Sequence, residues 1–411
     1  MSEPSGEAGL LAAVARAFDA CPAGPVGIAV SGGGDSLALL HLAHRIAPDR
    51  VRAVTVDHGL RPESAEEAAR VAAFCAVRAI DHSTLRWAGP PAGGNLMDQA
   101  RLARRQLISD WAGRRGVRHV LLGHTADDQA ETLLMNLARA AGLDGLSGLR
   151  PVWRTAGLDW HRPLLAVPRA ALRRYLAGQG VGWIDDPSNE NDRFARARAR
   201  KALQALAPLG VSAEHLAQSA RHLAAARASL QDITARMAEA HVQDCAGALR
   251  LEGAALDRMP PEIARRLLQA VLRWMTGTPH PPREAKLDHL RQALAARRDA
   301  TLGGLRFCWR QGAWLILREG RGVQGPVPFG QVWDHRWDVT GPALPGAEIR
   351  PLGDAGLRLC PDWRDHGPRE ALRLSPSVWD AERLIAAPLA GKPGLYRAEL
   401  TQGLAQFILS H

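Results

Sequence analysis

An α/β fold built on a parallel sheet is predicted for the first half of this 411-residue chain, and three observations predict it. From Val26 to Thr125, short apolar β-rich runs alternate with longer helical patterns. Segments of that length between strands mean βαβ crossovers, which place successive strands parallel. Polar clusters follow three of the strands, at the carboxyl ends where ligands of such sheets bind.

The elements follow in order. "VGIAV" is the first strand; it breaks into "SGGGDS" (Ser31–Ser36) and continues as the helix "SLALLHLAHRI". "VRAVTV" is the second, followed by "DHGLR" (Asp57–Arg61) and the helix "ESAEEAARVAAFCAVRA". "HSTLRW" is the third, followed by a helix beginning near Asn95, "NLMDQARLARRQLISDWAGRRG". "HVLLGH" is the fourth and runs into "GHTADDQAET" (Gly123–Thr132). Beyond the loop-rich "WIDDPSNENDRF" (Trp183–Phe194) the chain turns Ala-, Leu- and Arg-rich, with helical patterns in "SAEHLAQSARHLAAARASLQDITARMAEAHV", "PEIARRLLQAVLRWM" and "EAKLDHLRQALAARR". This reads as a helical middle domain closed by strand-like "GLRFCWR" and "AWLILRE". Gly/Pro-rich "GRGVQGPVPFG" (Gly320–Gly330) reads as a linker to a small α+β domain ending at His411. The expected bounds are 1–208, 209–319 and 331–411. In the last segment Trp333 and Trp337 alternate with polar residues, which favours core packing over base stacking.

The formal charge of +10 rests mostly on arginine, as in "RFARARARK" (Arg193–Lys201). It favours an anionic partner, and nucleic acid fits better than a membrane because no long uncharged apolar span exists. Five cysteines, Cys21, Cys75, Cys245, Cys308 and Cys360, are scattered singly, which indicates neither a disulfide framework nor a zinc site. The first residues lack the order of a signal peptide, so a cytoplasmic location is expected.

The loop Ser31–Ser36 joins a strand to a helix N-terminus, where free N–H groups and the helix dipole favour an anion. No Lys follows its last Gly, and the G-x-G-x-x-G spacing of dinucleotide folds is absent, so this phosphate site is of another kind. Asp35 sits among the phosphate-binding groups: it either reaches a Mg²⁺ on phosphate oxygens or favours the helix dipole. In "GHTADDQAET", Thr125 and Asp128 resemble a capping box, which leaves His124 outside that explanation. Asp127 and Glu131 (i,i+4) and Asp128 and Glu131 (i,i+3) form an acidic helix face. Arg101 with Arg104 and Arg105 makes neighbouring like-charge pairs that call for an anion nearby. Asp57 has either a nucleotide or its own loop amides as partner.

Taken in order, "SGGGDS", "DHGLR", "GNLMDQARLARR", "GHTADDQAET", "AGLDGLSGL", "RPLL" and "WIDDPSN" resemble the tRNA(Ile)-lysidine synthetases, a family of N-type ATP pyrophosphatases. The resemblance is detailed over about the first half of the chain and looser beyond. It implies a Rossmann-like sheet of the adenine nucleotide α-hydrolase type, with ATP and Mg²⁺ as cofactors. It implies adenylation of the carbon-2 oxygen of the wobble cytidine in an isoleucine tRNA with a CAU anticodon. Displacement of AMP by the ε-amine of free lysine then gives lysidine. On the matching positions, Ser31, Gly32, Gly33, Gly34, Asp35 and Ser36 grip pyrophosphate, Asp35 favours the metal role, and Val56 and Asp57 lie by the nucleoside. His124, Asp128, Glu131, Arg104 and Arg196 belong to the active site, with carboxylates holding the lysine ammonium or metal.

Asp186, Pro187, Ser188, Asn189, Arg193, Arg196 and Arg200 match a segment that brings arginine to the tRNA. Arg105 and Ala197 replace a tyrosine and an asparagine of the family pattern. No membrane is expected, and a homodimer is admitted. The competing readings are another pyrophosphatase-loop enzyme of the thiolase or amidating kind, and an RNA-binding protein that has lost catalysis. The first is disfavoured by the cysteine placement and the absence of a glutaminase, the second by the intact acids.

Overall fold

The computed structural model describes residues 6–60, 63–89, 96–185 and 195–410. Arg61, Asn95, Asp186, Pro187, Ser188, Asn189 and Arg193 lie outside them. The chain forms two compact units, Met1–Arg227 and Ala228–His411.

The first unit is the expected α/β fold. Helix α1 (Glu7–Asp19) precedes β1 (Val26–Ala29), α2 (Gly34–Ile46), β2 (Val51–Asp57), α3 (Ser64–Val77) and β3 (Asp81–Arg86). Then come α4 (Leu96–Arg114), β4 (His119–Leu122), α5 (Ala126–Leu137), the short α6 (Leu143–Leu146), β5 (Val152–Thr155), β6 (Leu158–His161), α7 (Arg169–Gly178) and α8 (Ala195–Leu206). The strands form one sheet in the order β3-β2-β1-β4-β6-β5. All neighbours in it are parallel except the β5–β6 pair. Successive residues of a strand face opposite sides. Accordingly Leu121 packs with α1, α2 and α7, whereas Val120 packs with Ile108 and Trp111 of α4.

The chain steps outward from β1 to β3 and returns to place β4 on the other flank of β1, so the direction of progression reverses between β1 and β4. Helices α2 and α5 follow those two strands. Such a switch point opens a crevice beyond the strand ends, and the "SGGGDS" and "GHTADDQAET" segments meet there.

The β5–β6 hairpin is a structural addition to the expected strands. Its turn, Ala156–Gly157, has φ of 51° and 74°. Two consecutive positive φ values suit the right-handed twist of a two-residue hairpin, and they usually advertise themselves as Asn-Gly or Asp-Gly.

In the second unit the helices Pro261–Thr276 and Glu284–Ala295 and the antiparallel strands Leu305–Arg310 and Ala313–Arg318 form where the patterns place them. The C-terminal helix Leu404–Ser410 inserts Leu404 and Ile408 into the same core. The stretch 320–330, expected as a linker, instead contributes a short strand, Val327–Pro328, paired with Glu348 and Ile349, and Val327 is buried. Proline, which cannot donate to a ladder, is tolerated there because the strand lies at the sheet edge. Trp333 and Trp337 are buried core residues, as the alternation favoured. No described helix is long and apolar enough to cross a membrane.

Candidate active site

The Gly-rich loop is held by its own serines. Ser36 Oγ accepts from Ser31 N at 3.1 Å, lies 3.2 Å from Ser31 Oγ and donates to the Gly33 carbonyl at 2.9 Å. Gly32 has φ +88°, a conformation that a side chain strains, and a Cβ there would stand 2.8 Å from Ile184 Cδ1. The Ile184 N–H donates to the Gly32 carbonyl at 3.1 Å and keeps the segment Trp183–Ile184 over the loop. Helix α2 starts at Gly34 with no side-chain cap, so its first N–H groups remain available to an anion.

At the end of β4, Gly123 lies so close to α2 that a Cβ would come within 2.9 Å of the Asp35 carbonyl oxygen. The two polar segments are thereby brought together. They line an open cleft of about 990 Å³ with Ser31, Gly33, Gly34, Asp35, Ser36, Val56, Arg104, His124, Asp127, Asp128, Arg169 and Arg196 among its residues.

A cluster of carboxylates surrounds one guanidinium. Arg169 Nε donates to Asp35 Oδ2 at 2.8 Å, and its other nitrogens lie 3.4 Å from Glu131 Oε1, 3.5 Å from Asp128 Oδ2 and 3.9 Å from Asp127 Oδ1. The Arg169 N–H also donates to Asp127 Oδ2 at 2.7 Å. Glu131, only 1% exposed, takes a second cation, Arg200 Nε, at 2.6 Å. Burial disfavours the Arg169 charge, but Asp35 and Asp128 outweigh it and raise its pKa.

Burial also raises the Asp35 carboxyl to about 6, against the opposing pull of Arg169. Asp128 titrates below the ordinary range although burial acts against it, because Arg169, His124 and the Thr125 N–H favour its charge. The capping box is real: Thr125 N and Oγ1 donate to Asp128 Oδ2 at 2.8 and 2.9 Å. Asp128 therefore serves the helix start with one oxygen while it faces the cleft.

His124 takes a hydrogen bond on Nδ1 from Arg162 Nε at 3.0 Å. Burial lowers its pKa, so it is neutral at physiological pH, and the acceptor role of Nδ1 assigns the proton to Nε2. Arg162 is itself fixed over the Trp153 ring at 3.9 Å and donates to the Arg150 carbonyl at 2.7 Å. Its own pKa falls to about 10, mainly through burial and then through Arg101.

Of the remaining expected residues, Arg104 and Arg196 line the cleft, and burial lowers the Arg104 pKa, whereas Arg101 and Arg105 do not line it. Val56 lines it as well, but Asp57 does not. Asp57 accepts from Gly59 N at 3.0 Å and from the Ser64 hydroxyl, and that hydroxyl holds its carboxyl below the usual range. The Gly59 amide and the Ser64 hydroxyl are its partners in the structure. Ala197 is buried on α8, where a small residue fits. Arg162 and Arg169 are the residues missed from sequence.

The PP-loop domain family matches residues 10–207. A tRNA(Ile)-lysidine synthase from Ruegeria pomeroyi is 46% identical over 402 residues, which cover 96% of each chain. This chain belongs to the tRNA(Ile)-lysidine synthase family. Another such synthase, from Hyphomonas neptunium, is 41% identical over 74% of this chain and 83% of its own. Among solved structures, a U34-tRNA thiolase from Methanococcus maripaludis aligns over 52% of this chain and 78% of its own, with 14% identity and a TM-score of 0.45.

Tested against these groups, the synthase cleft fits ATP and a divalent cation. Asp35 Oδ1 is buried without a hydrogen-bond partner among the described residues, as suits an oxygen meant for a cation. The loop beside it offers N–H groups and hydroxyls for phosphate.

Proposed function

We propose that this protein is a cytoplasmic ligase that joins free lysine to carbon 2 of the wobble cytidine in an isoleucine tRNA with a CAU anticodon, using ATP. One observation carries the reading: a pyrophosphate-type loop and the carboxylates Asp35, Asp127 and Asp128 line one cleft, with Glu131 tied to the same guanidinium, Arg169. The loop suits ATP split between its α and β phosphates, and the carboxylates suit an ammonium substrate.

In this reading the cytidine O2 attacks the α-phosphorus and pyrophosphate leaves. The lysine ε-amine then attacks carbon 2, the C–O bond breaks, AMP leaves, and the amine loses a proton to complete lysidine. Ser31, Ser36 and the backbone of Gly32, Gly33 and Gly34 take the pyrophosphate, with donors aimed at charge that grows in the transition state. Asp35 would hold Mg²⁺, which when bound neutralises phosphate charge. Val56 borders the adenosine.

His124, neutral and protonated on Nε2, serves as a hydrogen-bond donor to a phosphate oxygen. Asp128 and Glu131 receive the lysine ammonium, and Arg169, which lies 3.5 Å and 3.4 Å from them, is displaced or shared when it binds. Arg104 and Arg196 meet the phosphates of ATP or tRNA. The segments 209–319 and 331–411 supply further tRNA contacts, and 1–208 the chemistry. A thiolase-like reading is disfavoured because no cysteine is among the residues lining the cleft.

The test is pyrophosphate release by the full chain, with and without lysine, on isoleucine tRNA bearing CAU against methionine tRNA. Release confined to the isoleucine tRNA, with lysine incorporated, supports the reading. Equal activity on both, or release that needs no tRNA, overturns it.

A further inference from the structure

Outside the cleft, among the described residues, one group of metal-ligating side chains stands together: Cys21, His119 and His161. Cys21 follows α1, His119 opens β4 at the end away from the Gly-rich loop, and His161 closes β6, the neighbouring strand. The register pairs His119 with Asp159 and Leu121 with His161, so both histidines face the same side of the sheet, the side that α1 covers. His119 Nδ1 and His161 Nε2 are 3.1 Å apart, Cys21 Sγ is 3.9 Å from His161 Nε2, and all three ligand atoms lie within 4.8 Å of one another.

Zinc bond lengths of about 2.0 Å to nitrogen and about 2.3 Å to sulfur give tetrahedral ligand separations of about 3.3 Å for N–N and about 3.6 Å for N–S. The separations of 3.1 Å and 3.9 Å about His161 Nε2 are within a few tenths of an ångström of that spacing. Without a metal, the His–His contact and the Cys21 thiol donating to the Ala17 carbonyl at 3.0 Å satisfy these atoms. Both sets of contacts can be exchanged for metal bonds without moving the backbone far. Asp159 Oδ2, 3.9 Å from His119 Nδ1 and 30% exposed, leaves one side open for a carboxylate or water as fourth ligand.

We propose that Cys21, His119 and His161 bind a zinc ion that staples the α1–β1 connection to β4 and β6, separate from the nucleotide cleft. The donor set, one thiolate and two imidazoles, selects zinc over Mg²⁺. On binding, a Zn–S bond replaces the S–H bond and the thiol proton goes to solvent. The imidazoles bind through neutral ring nitrogens.

The test uses the full chain, stripped with chelator and kept reduced, titrated with Co²⁺ as a zinc surrogate. The expected result is one equivalent bound with intense tetrahedral visible bands and a thiolate charge-transfer band, all displaced by Zn²⁺. Cys21→Ser loses the charge-transfer band, His161→Gln weakens binding at least about tenfold, and Asp35→Ala keeps the whole spectrum. In the unmodified chain, zinc protects the Cys21-bearing peptide against alkylation, a readout that needs no variant to fold. Absence of the charge-transfer band in the wild type, its survival in Cys21→Ser, or failure of zinc to protect that peptide overturns the site.

Discussion

Each compact unit contains a buried charged cluster, and the two are built with opposite imbalance. In the first, four carboxylates, Asp35, Asp127, Asp128 and Glu131, surround Arg169 beside an open cleft. In the second, the Asp334 carboxylate stands between Arg318 at 3.0 Å and Arg336 at 3.8 Å, with all three side chains 3–6% exposed. Asp334 also accepts from Gln324 N at 3.1 Å, and Arg336 donates to the Gly247 carbonyl at 3.1 Å beneath the Trp274 and Trp337 rings.

The guanidinium pKa values register the difference. Arg169 is raised, because its carboxylates outweigh burial, whereas burial drives Arg336 down to about 10. A surplus of carboxylates at an open cleft accepts a cation from outside. A closed cluster whose carboxylate is bonded on several sides holds loops together.

The contrast can be broken by substitution. Asp35→Ala is expected to reduce lysine incorporation at least about a thousandfold while leaving tRNA affinity nearly unchanged, because it removes the proposed cation ligand. A large loss in a tRNA-binding assay would mean the loop is misassigned. Asp334→Ala strands two buried guanidiniums and should cost about 3–5 kcal/mol in urea unfolding. An unchanged midpoint would deny the cluster its structural role.

Arg169→Ala should cost about 2–3 kcal/mol, by leaving carboxylates uncompensated, and Mg²⁺ should restore part of it. No response to Mg²⁺ would argue against a shared cation position. The smallest effect is a drift with pH. The Asp35 carboxyl titrates at about 6 in the folded chain against an ordinary 3.8, so between those values the folded chain holds a proton that the unfolded chain has lost. Its contribution to stability therefore falls as pH rises from about 4 to about 6, by up to about 2–3 kcal/mol, and is flat above. Urea midpoints of wild type and Asp35→Asn across that range should differ by this slope, and parallel curves would refute it.

The parallel sheet and the acids after β1 and β4 were legible because strand–helix alternation and a Gly-rich turn are local patterns. Asp57 was legible as two alternatives, and the Gly59 amide and Ser64 hydroxyl are the local partners that one of them calls for. Arg169 was not legible. It is one arginine among many, placed at the start of α7 by Pro168, and its meaning arises only when the fold brings α7 to α2 and α5. The β5–β6 hairpin was hidden because Ala occupies a turn position with φ of 51° where Asn or Asp normally gives the signal. The stretch 320–330 looked like a linker because Gly and Pro mask the two-residue strand Val327–Pro328, of which Val327 is buried and Pro328 exposed.

The clearance at Gly123 has one more effect. Because a Cβ on Gly123 would stand 2.9 Å from the Asp35 carbonyl oxygen and 3.0 Å from the Ser36 Cα, the Gly-rich loop and the segment after β4 share a common datum. A methyl group there would act as a shim, prying both ends apart by several tenths of an ångström at once. Neither segment can drift at this joint without moving the other, so the shape of the cleft is left to the side chains around its rim.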